Sequence, residues 1–321
     1  MEYGRKLAAC VKEYRPDSIL SANTPIDIQA RLHYASRTVG AKFIFWVQDI
    51  YGIAIQRILS SKYGFLGAKI GDYYRWLEIR TILRSTKVIL ITKDFLPYLD
   101  PHLERVDQEQ IIPNWAPIED LPIGTKENRW ACDQGLSNTK NLIYSGTLGL
   151  KHNPEILLKL ARRFQDDDNV RVIVISEGLG AEWLKDRKSE LQLDNLILLP
   201  FQPYELFPLV LATADVLVAI LEPDAGVFSV PSKILSYMCA GKPILINMPL
   251  ENMAARVIID NDMGRVSSPG DLDGFIHTAG DLLSDPELCE TLGGNARAYA
   301  EKNFSIGTIA DQFEEMIRDL E

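Results

Sequence analysis

The sequence predicts an α/β protein of two Rossmann-like, doubly wound domains with a cleft between them. Three observations carry this reading. Short, almost continuously apolar runs recur along the chain, and amphipathic stretches of helical length separate them. The 321 residues also suffice for two domains at roughly 150 residues each. Apolar strands alternating with helices imply parallel sheets covered on both faces. Ligands of such sheets sit outside the carboxyl ends of the strands, so chemistry is sought in the turns from strand to helix.

The first part opens with a helical stretch, EYGRKLAACVKEY. DSILSA (17–22), AKFIFWVQD (41–49) and KVILIT (87–92) read as strands, because they are rich in Val, Ile and Phe, bounded by turn residues and too short for buried helices. IDIQARLHYASRTVG and FLGAKIGDYYRWLEIRTILRS, between them, have helical spacing. Residues 111–140 break the rhythm with three prolines, Asn-Trp and a polar tail. The expected division is therefore a first domain over 1–116, a linker over 117–140, a second domain over 141–303 and a closing helix over 304–321. The second domain repeats the pattern in NLIYSG (141–146), VRVIVIS (170–176), NLILLPF (195–201), DVLVAIL (215–221), PILIN (243–247) and a weaker GRVSS (264–268). A doubly wound domain normally opens with a strand and a glycine-bearing turn. This chain opens with a helix, so the expectation is a first domain truncated at its N-terminal side.

The composition, 46% hydrophobic and 24% charged, is that of a folded globular chain rather than a disordered one. No uncharged apolar run reaches the roughly 18 residues of a bilayer span, and the charged start lacks a signal-peptide core. Cys10, Cys132, Cys239 and Cys289 are far apart without a CxxC pair. They read as buried thiols of a reducing compartment, and the expected location is cytoplasmic. The net charge of −10 divides unevenly. Residues 1–110 hold 16 Lys and Arg against 12 Asp and Glu, and the remainder holds 18 against 32. Such a split arises by chance, or it marks a first part that faces phosphates or a lipid surface. The acidic total and the lack of a basic, aromatic-interleaved stretch exclude nucleic acid as an expected partner.

His33, His102, His152 and His277 show no metal-ligand spacing. An Asp-x-Asp pattern occurs at 166–168, on the wrong sheet edge, and at 271–273, where it reads as a helix cap. No metal is expected. There is no Walker loop, and SEGLGAEW (176–183) contains only Gly-x-Gly, too little for a dinucleotide fingerprint; no cofactor is expected either. What remains is a set of strand-to-helix turns on one sheet edge. YSGTLGLKHNPEILL (144–158) has Gly146, Gly149 and Lys151 at its turn. Glycine there lets a backbone N–H approach a phosphate, a plain loop with a surface lysine being the alternative. Phe201 and Gln202 follow a strand, where a base could stack or pair. VPSKILSYM places Pro231, Ser232 and Lys233 in the first turn of a helix. The positive end of a helix dipole disfavours a lysine, unless both meet one anion. Two anion-ready turns with a lysine each favour a nucleotide diphosphate.

The segments IIPNW, YSGTLGLKHNPEILLKLA, VPSKILSYMCAGKPIL and NARAYAEKNFS together resemble the retaining glycosyltransferases of family 4, which have the GT-B fold. Within that family the bacterial branch that builds O-antigen and capsule oligosaccharides is the most similar. The resemblance covers essentially all of residues 1–321. It implies that the second domain binds a nucleotide-diphosphate sugar and that the last helix, SIGTIADQFEEMIRDLE (305–321), crosses back onto the first. The family often has two glutamates eight apart, which here fall on Phe228 and Ser236; both acids are absent. The branch with PSK resembles this chain better and makes Lys233 the candidate catalytic partner of the diphosphate, with Pro231, Ser232 and Ser236 in the same turn. The family's arginine after the first-turn glycine falls on Thr147, which leaves Lys151 as the basic substitute beside Gly146. FWVQDIY matches the strand that ends in His-Asp or Gln-Asp in relatives, making Asp49 the candidate catalytic residue of the first domain. The glycine loop usual in that domain has no counterpart.

The resemblance thus implies a retaining, metal-independent transfer from a nucleotide-diphosphate sugar to a glycan or polyprenyl-diphosphate-linked acceptor. The stretch ILSSKYGFLGAKIGDYYRWLEIR mixes Lys62, Lys69, Arg75 and Arg80 with Phe65, Leu66, Tyr73 and Trp76. It reads either as a core helix with a solvated face or as one that rests on the inner face of the plasma membrane. Two rivals stand beside this reading: a sugar-nucleotide epimerase or hydrolase of the same fold, and a truncated or subunit-dependent module that binds nucleotide sugar without activity of its own.

Overall fold

The computed structural model describes residues 2–22, 24–99, 109–149, 152–221 and 231–320. They form two compact units, Met1–Asn114 with Ile309–Glu321, and Trp115–Gly226 with Pro231–Thr308. The first unit holds a parallel sheet of β1 (Ser18–Ala22), β2 (Lys42–Val47), β3 (Lys87–Leu90) and β4 (Glu109–Ile111), in that order. Ile44, Ile89 and Ile112 form a core with Ile309 and Met316 of the closing helix, and Trp46 meets Phe313 edge-on at 4.9 Å between ring centroids. Each such fully buried aliphatic side chain contributes about 1.5–3 kcal/mol.

The chain after β2 is more helical than the sequence predicts. It is helical from Tyr51 to Ile82, broken at Gly64, whose φ of 55° and ψ of −134° reverse its direction. The two arms then run back along each other. A Cβ on Gly67 would lie 1.9 Å from the Leu59 carbonyl oxygen, one on Gly71 2.5 Å from Gln56 Cα, and one on Gly52 2.8 Å from Arg75 Cα. Glycine at these three positions lets the arms pack backbone against backbone. Near the base of the hairpin Glu78, only 1% exposed, accepts the Gly52 N–H at 2.9 Å. Burial pushes its carboxyl up to about 7, against the opposing pull of the backbone N–H groups it accepts.

The second unit holds six parallel strands: β5 (Lys140–Ser145), β6 (Val170–Ile175), β7 (Leu196–Leu199), β8 (Val216–Ile220), β9 (Ile244–Asn247) and β10 (Gly264–Ser267). Their order across the sheet is β10-β9-β8-β5-β6-β7. Successive strands step outward from β5 to β7, and β8 then returns to the other side of β5. The order therefore reverses between β5 and β8, the point at which ligands of open α/β sheets bind. Leu142, Val172, Val174, Val218 and Leu245 belong to the buried core.

Segment 117–140 contributes Leu121, Trp130, Ala131 and Leu136, all buried. Asn128 caps the helix Arg129–Asp133 by accepting the Ala131 N–H, and its amide donates to the Leu209 carbonyl at 3.2 Å. Of the four cysteines Cys239 is buried, but Cys10 and Cys132 are exposed, against the expectation of buried thiols. Cys10 lies on the helix Glu2–Tyr14, whose one buried residue is Gly4. Among the described residues no helix is long and apolar enough to cross a membrane.

Candidate functional site

β5 and β8 are paired only at Leu142↔Val216 and Ile143↔Leu217, although β5 runs on to Ser145 and β8 to Ile220. Past that point the strands part, and Tyr237 fills the fork. Its hydroxyl accepts the Ser145 N–H at 2.9 Å and has the carbonyls of Ser145 and Val218, each at 3.2 Å, to donate to. Burial pushes this phenol's pKa upward. Tyr237 belongs to the helix Lys233–Cys239. Arg297 anchors the far end of that helix, donating to the carbonyls of Cys239 and Leu121 at 2.7 Å each.

Lys233 stands one helical turn before Tyr237 and so shares its face. Its Nζ lies 3.6 Å from the centroid of the Tyr144 ring, a cation–π contact. It also lies 3.0 Å from where a Cβ on Gly146 would be. Gly146 has a φ of 136°, a backbone region that favours glycine. The Tyr144 hydroxyl donates to the Thr147 carbonyl at 2.9 Å and holds the turn down. The Lys233 side chain as a whole is half-buried, but its Nζ is inaccessible and has no hydrogen-bond partner among the described residues. This desolvation brings its pKa down to about 7. A buried ammonium without an acceptor is costly, and an anion placed against it removes the cost. The helix amides add less than the sequence suggests, because the N–H groups of Ile234 and Leu235 already reach the carbonyls of Pro231 and Ser232 at 3.2 and 3.1 Å.

Gly146, Thr147 and Lys233 are thus brought together at the fork. Pro231 and Ser236 are half-buried on or beside the same short helix, and Ser232 is exposed with no capping hydrogen bond from its side chain. Phe201, also exposed, follows the edge strand β7, two strands from β5 and so about 10 Å along the sheet. Gln202 accepts from the Trp130 indole at 3.0 Å and donates to the Pro200 carbonyl at 2.9 Å, which occupies the amide expected to face a base. Asp49 is half-buried just after β2 in the first unit. Lys151 and Phe228 lie outside the described residues. Asp167 accepts from the Asn169 N–H in a turn and Asp271 caps the helix Leu272–Ser284. Among the described residues no group of three or more His, Cys, Asp or Glu is placed to hold a metal ion.

Tyr144 and Tyr237 escaped the sequence reading. A tyrosine inside an apolar strand is a signal, because its hydroxyl must find a partner when buried. The four-residue spacing of Tyr237 from Lys233 is the other.

The family described as glycosyl transferases group 1 matches residues 129–299, more than half of the chain. A protein of Escherichia coli (strain K12) named as a colanic acid biosynthesis glycosyl transferase, WcaI, is 22% identical over 239 residues, which is 72% of this chain and 57% of that protein. The chain therefore spans little more than half the length of that relative. Anabaena Alr3699/HepE, solved in complex with UDP, superposes with a TM-score of 0.79 at 17% identity, covering 99% of this chain and 82% of its own. The sucrose-phosphate synthase of Thermosynechococcus elongatus superposes with a TM-score of 0.76 at 14% identity, covering 99% and 77%. At such identities the likeness is one of fold: α/β with two parallel sheets, the GT-B architecture expected from the sequence.

Proposed function

This chain belongs to the family of glycosyl transferases group 1, and from that premise we propose that it transfers a sugar from a nucleotide-diphosphate donor in polysaccharide biosynthesis. The observation that carries the donor site is the inaccessible Lys233 ammonium, without a hydrogen-bond partner among the described residues, at the β5/β8 switch point. As the glycosidic bond breaks, negative charge builds on the β-phosphate. A preorganised cation in a dry site stabilises that charge far more than water would. Gly146 leaves room for the phosphate to approach, and Thr147 edges the same turn. Pro231, Ser232, Ser236, Phe201 and Lys151 are proposed as further donor contacts. Asp49 is proposed as the polar residue of the first unit that handles the acceptor, a glycan or a polyprenyl-diphosphate-linked oligosaccharide. Retention of configuration and independence of metal are proposed with it, on the resemblance.

A thermal-shift screen of nucleotide-diphosphate sugars tests the donor site. A true donor at about 100 times its Kd adds about 2.7 kcal/mol of stability. The shift should survive EDTA, and a loss restored by a divalent cation would contradict metal independence. The stereochemistry of a transferred sugar, read by NMR, decides retention. The absence of acids at Phe228 and Ser236 favours a second reading, a donor-binding module that is inactive alone. Stabilisation by donors without turnover on any acceptor would select it.

A further inference from the structure

The glycine-packed hairpin of the first unit leaves its large side chains outside. With Gly67 and Gly71 at the contact between the arms, the turn at Gly64 projects Tyr63, Phe65 and Leu66 into solvent. Phe65 is 79% and Leu66 68% exposed, and Ile58 and Ile70 extend the patch down both arms. Exposed apolar residues scattered singly are ordinary, but a contiguous group at one tip marks an interaction surface. The charges around it have one sign. Between Asp49 and Asp72 the chain has Arg57, Lys62 and Lys69 and no acidic residue. The Lys62 and Lys69 ammonium groups lie 5.4 and 5.6 Å from the ring centroids of Tyr63 and Phe65, and neither forms an ion pair among the described residues.

We propose that this tip, residues 58–70, inserts into the surface of an anionic lipid bilayer. Its apolar end enters the boundary between headgroups and acyl chains, and the lysines beside the aromatic rings meet the lipid phosphates. Lysine stems suit that arrangement, because they cover apolar surface while the charged head stays at the polar level. A second copy of the chain fits less well. Two such tips face to face would bring Lys62 and Lys69 against like charge, with no acid in the segment to pair with them. The backbone-to-backbone packing keeps the wedge rigid, so insertion requires no refolding. The proposal does not depend on the donor site, since vesicle binding and nucleotide binding are separate measurements.

Flotation of the whole chain with phosphatidylcholine vesicles, with and without phosphatidylglycerol, tests it. The parent should float with the anionic vesicles at about 0.1 M salt and be released at about 1 M, where the Debye length falls from about 10 to about 3 Å. Phe65→Ser with Leu66→Ser should weaken binding at least about tenfold, and each of Lys62→Ala and Lys69→Ala about fivefold. All of these positions are exposed, so circular dichroism should be unchanged. Equal flotation of parent and Phe65→Ser/Leu66→Ser overturns the proposal. So does sedimentation equilibrium that shows a parent dimer dissociated by the same pair, which would assign the tip to a second copy.

Discussion

Replacing Lys233 with methionine separates the cation from the stem that carries it. Methionine keeps an unbranched apolar chain beside Tyr144 and deletes the charge. In the ligand-free protein, desolvation holds the lysine pKa at about 7 instead of 10.5. The unfolded chain therefore binds more protons than the folded one between about pH 7 and pH 10.5, so this residue makes stability rise with pH across that window. At pH 7 the cost is about three units at 1.36 kcal/mol each, or ~4 kcal/mol, falling toward ~2 kcal/mol to the extent that water reaches the half-buried stem. Lys233→Met should stabilise the ligand-free protein at pH 7 by about 2–4 kcal/mol and flatten the rise above pH 7, both read by urea unfolding. The same change should weaken nucleoside-diphosphate binding by roughly 10- to 150-fold, the loss of one charge-assisted hydrogen bond. With a pKa of about 7, about half of the parent molecules lack the proton at pH 7, and a bound diphosphate recruits it. Calorimetry in buffers of different ionisation enthalpy should then show uptake of about half a proton per diphosphate. A methionine variant that binds as tightly as the parent, or a parent that takes up no proton, refutes the reasoning.

Gly146→Ala forces a methyl group into a backbone of φ 136° and to 3.0 Å from the Lys233 Cε and Nζ; it should reduce diphosphate affinity at least about tenfold, measured by calorimetry, with about 1–3 kcal/mol of strain. Glu78, its pKa raised to about 7 by burial, binds more protons folded than unfolded between about pH 4.5 and 7, so its contribution to stability falls as pH rises through that window, by about 2–3 kcal/mol. Amide exchange at Gly52 should follow this trend in the parent and lose it in Glu78→Gln. Arg297→Ala leaves the carbonyls of Cys239 and Leu121 without their donor and should cost about 2–3 kcal/mol in urea unfolding, with Arg297→Lys a poor substitute because one ammonium does not reproduce the fork of the guanidinium.

The strands that the sequence reveals most plainly are those with long apolar runs, such as VIVI in β6, whereas β1 and β10 have shorter runs and show mainly through the turn residues around them. β4, with the three residues EQI, has too few positions to show a period and is held in place by its pairing with β3. The first arm of the hairpin was hidden for another reason. Its glycine and paired serines look unfavourable to a helix, and Gly52 serves a contact with Arg75 that no local pattern announces. Lys233 was legible because its charge conflicts with the helix dipole. Its burial was not, since that depends on β8 returning to lie beside β5. The fate of Gln202 likewise depends on Trp130, 72 residues away.

The phenol in the fork between β5 and β8 ties two quantities that would otherwise vary independently. Where the ladder stops, Ser145 would have an amide hydrogen with no acceptor, and a single hydroxyl serves both lips of the opening. The rod that supplies that hydroxyl also carries Lys233, one turn earlier. A roll of the rod large enough to shift the ammonium would pull the hydroxyl away from Ser145 and leave a main-chain amide dry. A flexible lysine thereby inherits the positional stiffness of the sheet beneath it. Tyr237→Phe should accordingly blur the cation's placement even though no atom of Lys233 has been touched.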